Sequence, residues 1–190
     1  MNWQPWSGNK DTQSNALHYA YGKASYHLYD QTGKADWGYN AISNGGNREH
    51  LWRTPKKEEW MYLLFVRNTA SGVRFAKAKV NGLNGLVVLP DAWKVTTYQL
   101  NSVNDVSASS ESNIISQSDF QQVLEPAGAV FLPEAGARTI DGVYMNACGY
   151  YTSDAATEDA YKLGMVIINC DGHRGDGLSV RLVRNVERSL

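Results

Sequence analysis

The segment LWRTPKKEEWMYLLFVR, residues 51–67, carries the clearest helical pattern in the chain. Thr54 can accept a backbone hydrogen bond as the N-cap, and Pro55 suits the first helical position, where its missing N–H costs nothing. Trp60 and Leu63 begin an apolar face that recurs at helical spacing. We therefore predict an amphipathic helix that begins at Thr54.

The chain beyond this helix alternates apolar strands with turns. Residues 74–90, RFAKAKVNGLNGLVVLP, predict a partly alternating strand, two Asn-Gly turns at 81–82 and 84–85, and a buried strand over residues 86–89. Residues 96–112 are rich in Ser and Asn without periodicity, which is typical of a long loop.

A second helix is predicted to begin near Ser116 or Ser118 and to end at Pro126 and Gly128. A buried strand, AVFLP, follows it directly, and the last fifty residues predict β-hairpins in three segments. These segments are GVYMNACGYY, AYKLGMVIIN and LSVRLVRN, the last of which predicts a closing strand from Leu178 to Val183. Residues 1–50 predict loops and short strands on the core, so the whole pattern indicates an α+β fold with two helices and a twisted, mainly antiparallel sheet.

The bulk composition limits the classes of function. A chain of 190 residues suits a single domain over residues 1–190, with residues 1–35 as a peripheral N-terminal segment. Its 18 basic and 19 acidic residues show no run of one sign, which argues against nucleic-acid binding. No stretch approaches the ~20 apolar residues of a membrane span, and the start lacks the pattern of a secretory signal. We expect either a protein that is cytoplasmic when made, such as a virion component, or a surface protein without its leader.

The sequence resembles known proteins in two ways, first in one helix start and then in a series of blocks along the chain. Arg53-Thr54-Pro55 with Glu59-Trp60 and Tyr62 is similar to the helix start of the formylglycine-generating-enzyme and sulfatase-modifying-factor superfamily. Five blocks, from Asp36 to Arg184, resemble in order those of bacterial and phage C-type-lectin-like domains, many of which are variable proteins of diversity-generating retroelements. The blocks are WGYNAISNGGN, LWRTPKKEEW, VNGLNGLVVLPDAW, AGAVFLPEAG and LSVRLVR.

The resemblance implies a single C-type-lectin-like domain whose C-terminal part binds ligands. In such proteins a fixed scaffold presents side chains that a reverse transcriptase rewrites at template adenines. The family's closing motifs correspond here to residues 150–153, 160–165 and 174–183. Tyr151 stands where the family has Trp, and Met165 where it has Phe, which favours an archaeal or viral relative.

Residues 150–184 would therefore form the variable ligand-binding region. Most of its non-scaffold residue types can arise from an Asn codon by changing adenines alone, whereas Glu158 and Lys162 cannot. On a strand, Leu163 and Met165 would point inward and Val166 outward. The expected ligand-binding residues are Asp154, Ala156, Thr157, Asp159, Tyr161, Gly164, Val166, Ile168, Asp171, His173, Asp176 and Leu178.

Within this region, Arg174-Gly175-Asp176 spells a tripeptide that some secreted proteins present to cell-surface receptors. Arg174 and Gly177 match scaffold positions of the closing block, while Asp176 falls in a replaceable position. We interpret the tripeptide as scaffold residues with variable neighbours. A plain alternative for residues 165–168 is a strand that is buried on both sides.

Catalytic and metal sites are not expected. The animal lectins' calcium-dependent sugar site needs oxygen ligands, but this chain has Glu125-Pro126-Ala127 and no Trp-Asn-Asp motif; calcium elsewhere stays open. Copper oxidases of the superfamily hold their metal with a pair of nearby cysteines, whereas Cys148 and Cys170 lie on different predicted strands. These two cysteines are expected either to be free thiols or to form a disulfide. The four histidines show no metal-ligand spacing, and no nucleophile elbow is present.

Together these observations predict a non-catalytic binding protein without a cofactor. Its partner would be a protein or glycan on a cell surface. The chain itself would be displayed on a virion or a cell surface, and the sequence leaves its oligomeric state open. The first alternative is an invariant structural domain of a virion or cell envelope. The second is a copper-dependent oxidase of the formylglycine-generating type.

Overall fold

A computed structural model of the chain describes residues 48, 51–139, 142–145, 149–155, 159–173 and 176–185. The loops and short strands predicted for residues 1–50 lie outside these ranges, apart from Arg48. No helix in the described ranges is both long enough and apolar enough to cross a bilayer.

The first predicted helix is confirmed, but it begins later than expected. Helix α1 covers Lys57–Met61 and continues as a π-helical turn over Tyr62–Val66. Lys56, not Thr54, is the N-cap, and its backbone N–H donates to Glu59 Oε2 at 2.8 Å. The expected cap was wrong because Arg53 and Pro55 make backbone hydrogen bonds with the distant residues Val183 and Ser153, so these residues lie outside the helix.

A four-stranded sheet follows helix α1. Its strands are β1 (Phe75–Val80), β2 (Leu83–Val88), β3 (Ile114–Ile115) and β4 (Val130–Pro133), in the order β3-β1-β2-β4. The pairs β1–β2 and β2–β4 are antiparallel, and β1–β3 is parallel. The predicted buried strand is confirmed within β2, whereas β3 had no signal in the sequence because it has only two residues.

One of the two predicted Asn-Gly turns is wrong. Asn81 and Gly82 form the β1–β2 turn with positive φ angles of 48° and 80°. Gly85, however, lies inside β2, opposite Pro133 of β4. A Cβ at Gly85 would come within 2.4 Å of the Leu132 carbonyl oxygen and 2.5 Å of the Phe131 ring. Glycine is therefore required there for the close approach of two strands and not for a turn.

The second helix is also confirmed. Helix α2 covers Gln117–Asp119 and continues as a π-helical turn over Phe120–Leu124. Ser116 is its N-cap, and its hydroxyl accepts a hydrogen bond from the Asp119 N–H at 2.9 Å. The predicted long loop precedes it and contains only a short 3₁₀ turn at Ser110–Ser112.

The four-stranded sheet lies between two apolar clusters. Ala78 and Val87 on one face pack with Leu124 of the second helix. Phe75 and Leu86 on the other face pack with Leu64 and with residues of the C-terminal strands. Alternate residues of a strand point to opposite faces, so the sheet forms the middle layer of this part of the protein.

Two smaller antiparallel sheets complete the described structure. A hairpin joins β5 (Ala137–Thr139) to β6 (Gly142–Tyr144). A three-stranded sheet has the order β7-β8-β9, and its strands are β7 (Tyr150–Ala155), β8 (Asp159–Gly164) and β9 (Ile167–His173). Short helices and mainly antiparallel sheets confirm the predicted α+β class.

The predicted closing strand from Leu178 to Val183 is not formed. In its place the segment makes single bridges, with Ser179 beside Tyr150 and Val183 opposite Arg53. Just before it, Gly177 makes a third bridge, to Arg138. Because the partner changes every few residues, no continuous ladder can form, although each contact satisfies backbone groups. We call residues 176–185 the closing segment.

Arg53 ties the closing segment to helix α1. Its backbone N–H donates to the Val183 carbonyl, and the Val183 N–H donates back, both at 2.9 Å. Its guanidinium makes two hydrogen bonds of 2.5 Å to the Glu59 carboxylate and one of 3.2 Å to Asn185 Oδ1. The hydrogen bonds from Arg53 lower the pKa of Glu59 from its ordinary 4.5, although partial burial opposes the shift.

Replacement of Gly85 by Ala tests the close approach of β2 and β4. We expect Gly85→Ala to lower the free energy of unfolding by about 2 kcal/mol or more, because a backbone oxygen cannot move aside. Gly82→Asn is the control, since nothing lies near its Cβ and Asn tolerates positive φ. It should change stability by about 0.5 kcal/mol or less in denaturant unfolding. Equal losses in both variants would contradict the packing argument.

The Arg53–Glu59 pair predicts a pH dependence. Ionised Glu59 is favoured by folding, so its contribution is complete above the ordinary pKa of 4.5 and is lost as pH falls through the lower folded pKa. Glu59→Gln should therefore be less stable than wild type at neutral pH, and the difference should shrink on acidification. Glu58→Gln, whose carboxylate is more exposed and 3.8 Å from Lys57 Nζ, should show neither effect. Denaturant unfolding over a pH series measures both, and a difference independent of pH would contradict this assignment.

Candidate functional site

Strand β7 carries an irregularity that holds the start of helix α1. Its pairing with β8 shifts between Tyr151 and Ala155, and the residues in between are buried. The Ser153 N–H donates to the Pro55 carbonyl at 2.9 Å, and Asp154 Oδ2 accepts from the Lys57 N–H at 2.7 Å. A carboxylate that accepts a free N–H of the first turn is a helix cap, supplied here from a distant strand.

Asp154 was expected to be a replaceable contact residue. Its side chain is only 4% exposed and is engaged with the helix, so it is poorly placed to meet a ligand. The sequence did not show this, because no local pattern reveals that a strand residue will cap a helix almost a hundred positions earlier.

Tyr151, on strand β7, places a hydroxyl group in the buried part of the three-stranded sheet. Its ring is buried, and its hydroxyl donates to the Asp176 carbonyl oxygen at 3.1 Å. Burial raises the pKa of the Tyr151 hydroxyl, and the nearby carboxylates of Asp176 and Asp159 raise it further. The phenol therefore stays protonated and serves as a hydrogen-bond donor that ties β7 to the closing segment.

Two predicted contact residues, Asp159 and Asp176, thus meet around one buried tyrosine. Both side chains are half-buried, and both act electrostatically on the Tyr151 hydroxyl. They lie far apart in the chain, on β8 and on the closing segment. The fold brings them together and leaves each residue partly exposed, although Oδ1 of Asp159 is itself buried.

Tyr161 and Leu178 are also half-buried. The Lys57 ammonium lies 4.2 Å from the centre of the Tyr161 ring, within the range of a cation–π contact. Leu178 lies against Gly149, where a Cβ would come within 3.1 Å of its methyl carbon. Each side chain therefore touches the scaffold on one side and has solvent on the other.

The expected strand through residues 163–168 is wrong in its details. Gly164 ends β8, Met165 and Val166 form the turn, and β9 begins at Ile167. Val166, expected to point outward, is 2% exposed and belongs to the core, while Ile168 is half-buried against the same cluster. The turn rotates the chain out of the period of a strand, so Ile167 is the residue that is exposed, at 64%.

Several predicted residues have no described side chain. Ala156 and Thr157 lie outside the described residues, as do Cys148, Arg174 and Gly175. The tripeptide interpretation and the state of the two cysteines therefore stay as predictions. Asp171, His173 and Cys170 lie on β9, where His173 is paired in register with Asp159.

Three exposed apolar residues on and beside β6 had been missed. Val143, Tyr144 and Met145 are all largely exposed, the last at 76%. Val143 is paired with Arg138 of β5, and the Arg138 backbone exchanges hydrogen bonds of 2.9 and 2.7 Å with Gly177. The hairpin is thus joined to the closing segment between two predicted contact residues. The available signal was an apolar run in a short segment flanked by turns, which predicted a β-hairpin but no contact role.

We define the contact set as the three exposed apolar residues on and beside β6 together with four of the predicted contact residues that are partly exposed. It comprises Val143, Tyr144, Met145, Asp159, Tyr161, Asp176 and Leu178. Carboxylates, tyrosines and apolar side chains at a surface are suited to molecular contact. No group of three or more His, Cys, Asp or Glu in the described ranges is arranged to hold a metal ion.

Comparisons of the chain with protein-family models, with curated proteins and with solved structures found no match.

Replacement of Asp154 tests its role as a helix cap. We expect Asp154→Ala to lower the free energy of unfolding by about 1–3 kcal/mol, because the Lys57 N–H loses its acceptor in a buried place. Asp154→Asn is the matched variant, since its amide oxygen can still accept that hydrogen bond, and it should lose clearly less. If thermal and denaturant unfolding show both variants to be as stable as wild type, Asp154 is not a cap.

Proposed function

We propose that the chain is a non-catalytic binding protein whose C-terminal region recognises a protein or glycan on a cell surface. The observation that carries the proposal is the alternation of buried and accessible residues along that region. Tyr151, Asp154 and Leu163 are buried and hold the scaffold, whereas Asp159 and Tyr161 are accessible between them. Side chains that are only partly engaged can be exchanged at low cost to stability.

The chemistry of the contact set supports binding rather than turnover. Tyrosines provide rigid area, carboxylates provide hydrogen-bond acceptors, and exposed apolar residues provide desolvation energy. The last group is represented by Val143 and Met145, beside the closing segment. The proposal includes display on a virion or cell surface and rewriting of the accessible positions by a retroelement, which rests on the resemblance of the sequence blocks.

The burial pattern narrows which positions a retroelement would rewrite. Asp154 caps a helix and Val166 fills the core, so free replacement at either would destabilise the protein. The proposal therefore keeps Asp159, Tyr161, Asp176 and Leu178 as replaceable positions and leaves those two out. The structure thus excludes two positions, Asp154 and Val166, that the sequence had included among the replaceable ones.

The DNA around the gene tests this proposal. We expect a reverse-transcriptase gene nearby and a non-coding copy of the codons for residues 150–184. The copy should differ from the gene at template adenines in the codons for Asp159, Tyr161, Asp176 and Leu178. The codons for Asp154 and Val166 are internal controls and should be identical in both copies.

Genomic sequencing of several strains measures these differences directly. Absence of any such copy would remove the retroelement from the proposal and leave ligand binding to rest on the pattern of buried and accessible residues alone. Differences concentrated at the codons for Asp154 and Val166 would contradict the burial argument, although not diversification itself.

A second candidate is an invariant structural domain of a virion or cell envelope. The exposed Val143, Tyr144 and Met145 favour it, because adjacent apolar side chains at a surface are typical of a subunit interface. An identical C-terminal region in all sister copies, together with self-association that Met145→Glu abolishes, would favour this candidate over ligand recognition.

A further inference from the structure

A cavity lies between helix α1, the four-stranded sheet and the closing segment. Its volume is about 290 Å³, near the lower end of the range for small-molecule sites. Helix α1 and its π-helical turn contribute Trp60, Leu63 and Arg67, and the closing segment contributes residues 181–183. The remaining wall comes from the ends of β2 and β4 and the residues next to them.

Among the described residues that line this cavity, no side chain can accept a hydrogen bond. Aliphatic residues such as Val88, Leu132 and Leu182 form most of the surface. Every polar side chain among the described lining residues is a donor, namely two arginines and one tryptophan. A ligand that matches this cavity must therefore bring the acceptor and an apolar body.

Arg67 is not the group that would hold such a ligand. Its guanidinium already donates to Asp91 Oδ1 and to the Leu63 carbonyl, both at 2.7 Å, and to the Leu89 carbonyl. It is also buried. Arg67 therefore braces the cavity wall, with its charge balanced by Asp91.

The other two donors differ in accessibility. The Trp60 indole is 3% exposed, and its Nε1 is buried without a hydrogen-bond partner. Because that nitrogen has almost no exposed surface, a ligand in the cavity would not reach it, and Trp60 contributes its apolar ring to the wall. Arg181 lines the same cavity, is exposed, and forms no ion pair with any residue in the described ranges.

From these observations we propose that the cavity binds a small amphipathic monocarboxylate. Its apolar body would lie against the aliphatic walls and the Trp60 ring, and its carboxylate would accept from the Arg181 guanidinium. Charge complementarity excludes a cationic amphiphile of the same size. This site is separate from the contact set and does not rest on the proposed surface recognition.

Octanoate is the probe, and octylamine, with the same chain and the opposite charge, is the matched control. Titration into the isotope-labelled full chain should give saturable NMR shifts at up to millimolar octanoate. The chain has six tryptophans, and Trp60→Phe identifies the Trp60 indole signal by its loss. That signal should shift on octanoate addition, because the Trp60 ring lines the cavity.

Two substitutions locate the carboxylate. Arg181→Ala should weaken octanoate binding at least about ten-fold, the loss typical of a hydrogen bond to a charged group. Arg184→Ala removes a nearby exposed charge that does not line the cavity, so octanoate affinity should be unchanged. Thermal unfolding of each variant without ligand verifies that it folds.

Three results would overturn the proposal. They are the absence of saturable binding, equal binding of octylamine, and equal effects of Arg181→Ala and Arg184→Ala. If Trp60→Phe does not fold, Arg181→Ala still decides, because Arg181 is exposed and forms no ion pair within the described ranges. None of these results bears on the DNA test of surface recognition.

Discussion

The seating of helix α1 on the irregular part of β7 is the constraint on which the rest of the structure depends. The Asp154 carboxylate and the Ser153 N–H satisfy backbone groups at the start of the helix. Because unsatisfied groups in a buried place are costly, this contact fixes where the helix begins and how the three-stranded sheet lies against it. Arg53 extends the same junction to the closing segment through Val183.

This junction explains how the three-stranded sheet can hold the residues of the contact set at the protein surface. The buried side of the three-stranded sheet is held by Leu163 and Tyr150, which join the core cluster of helix α1. Tyr151 then binds the closing segment through Asp176. Side chains beyond these anchors carry little of the stability, so recognition chemistry can vary there while the scaffold stays constant. The same closing segment also forms one wall of the apolar cavity, which gives it a second role.

Part of the candidate site could be predicted from the sequence, and part could not. Asp159, Tyr161 and Asp176 were singled out because their neighbours match scaffold positions, and they are accessible in the fold. Val166 was misplaced because a hairpin turn interrupts the alternation of a strand. The exposed Val143 had the same local pattern as a buried strand residue, and only its position beside the closing segment distinguishes it.

The sequence by itself determined the α+β class, both helices, the start of the second helix near Ser116 or Ser118 and the strand through residues 86–88, because helical spacing, capping residues and apolar runs are local signals. Only the tertiary structure decided the start of helix α1, the role of Gly85 and the bridged form of the closing segment. Each of these depends on a backbone or side-chain partner far away in the chain: Asp154, Leu132 and Arg53. Local patterns carry no information about such partners, since hydrogen bonding and close packing are settled only when distant segments meet.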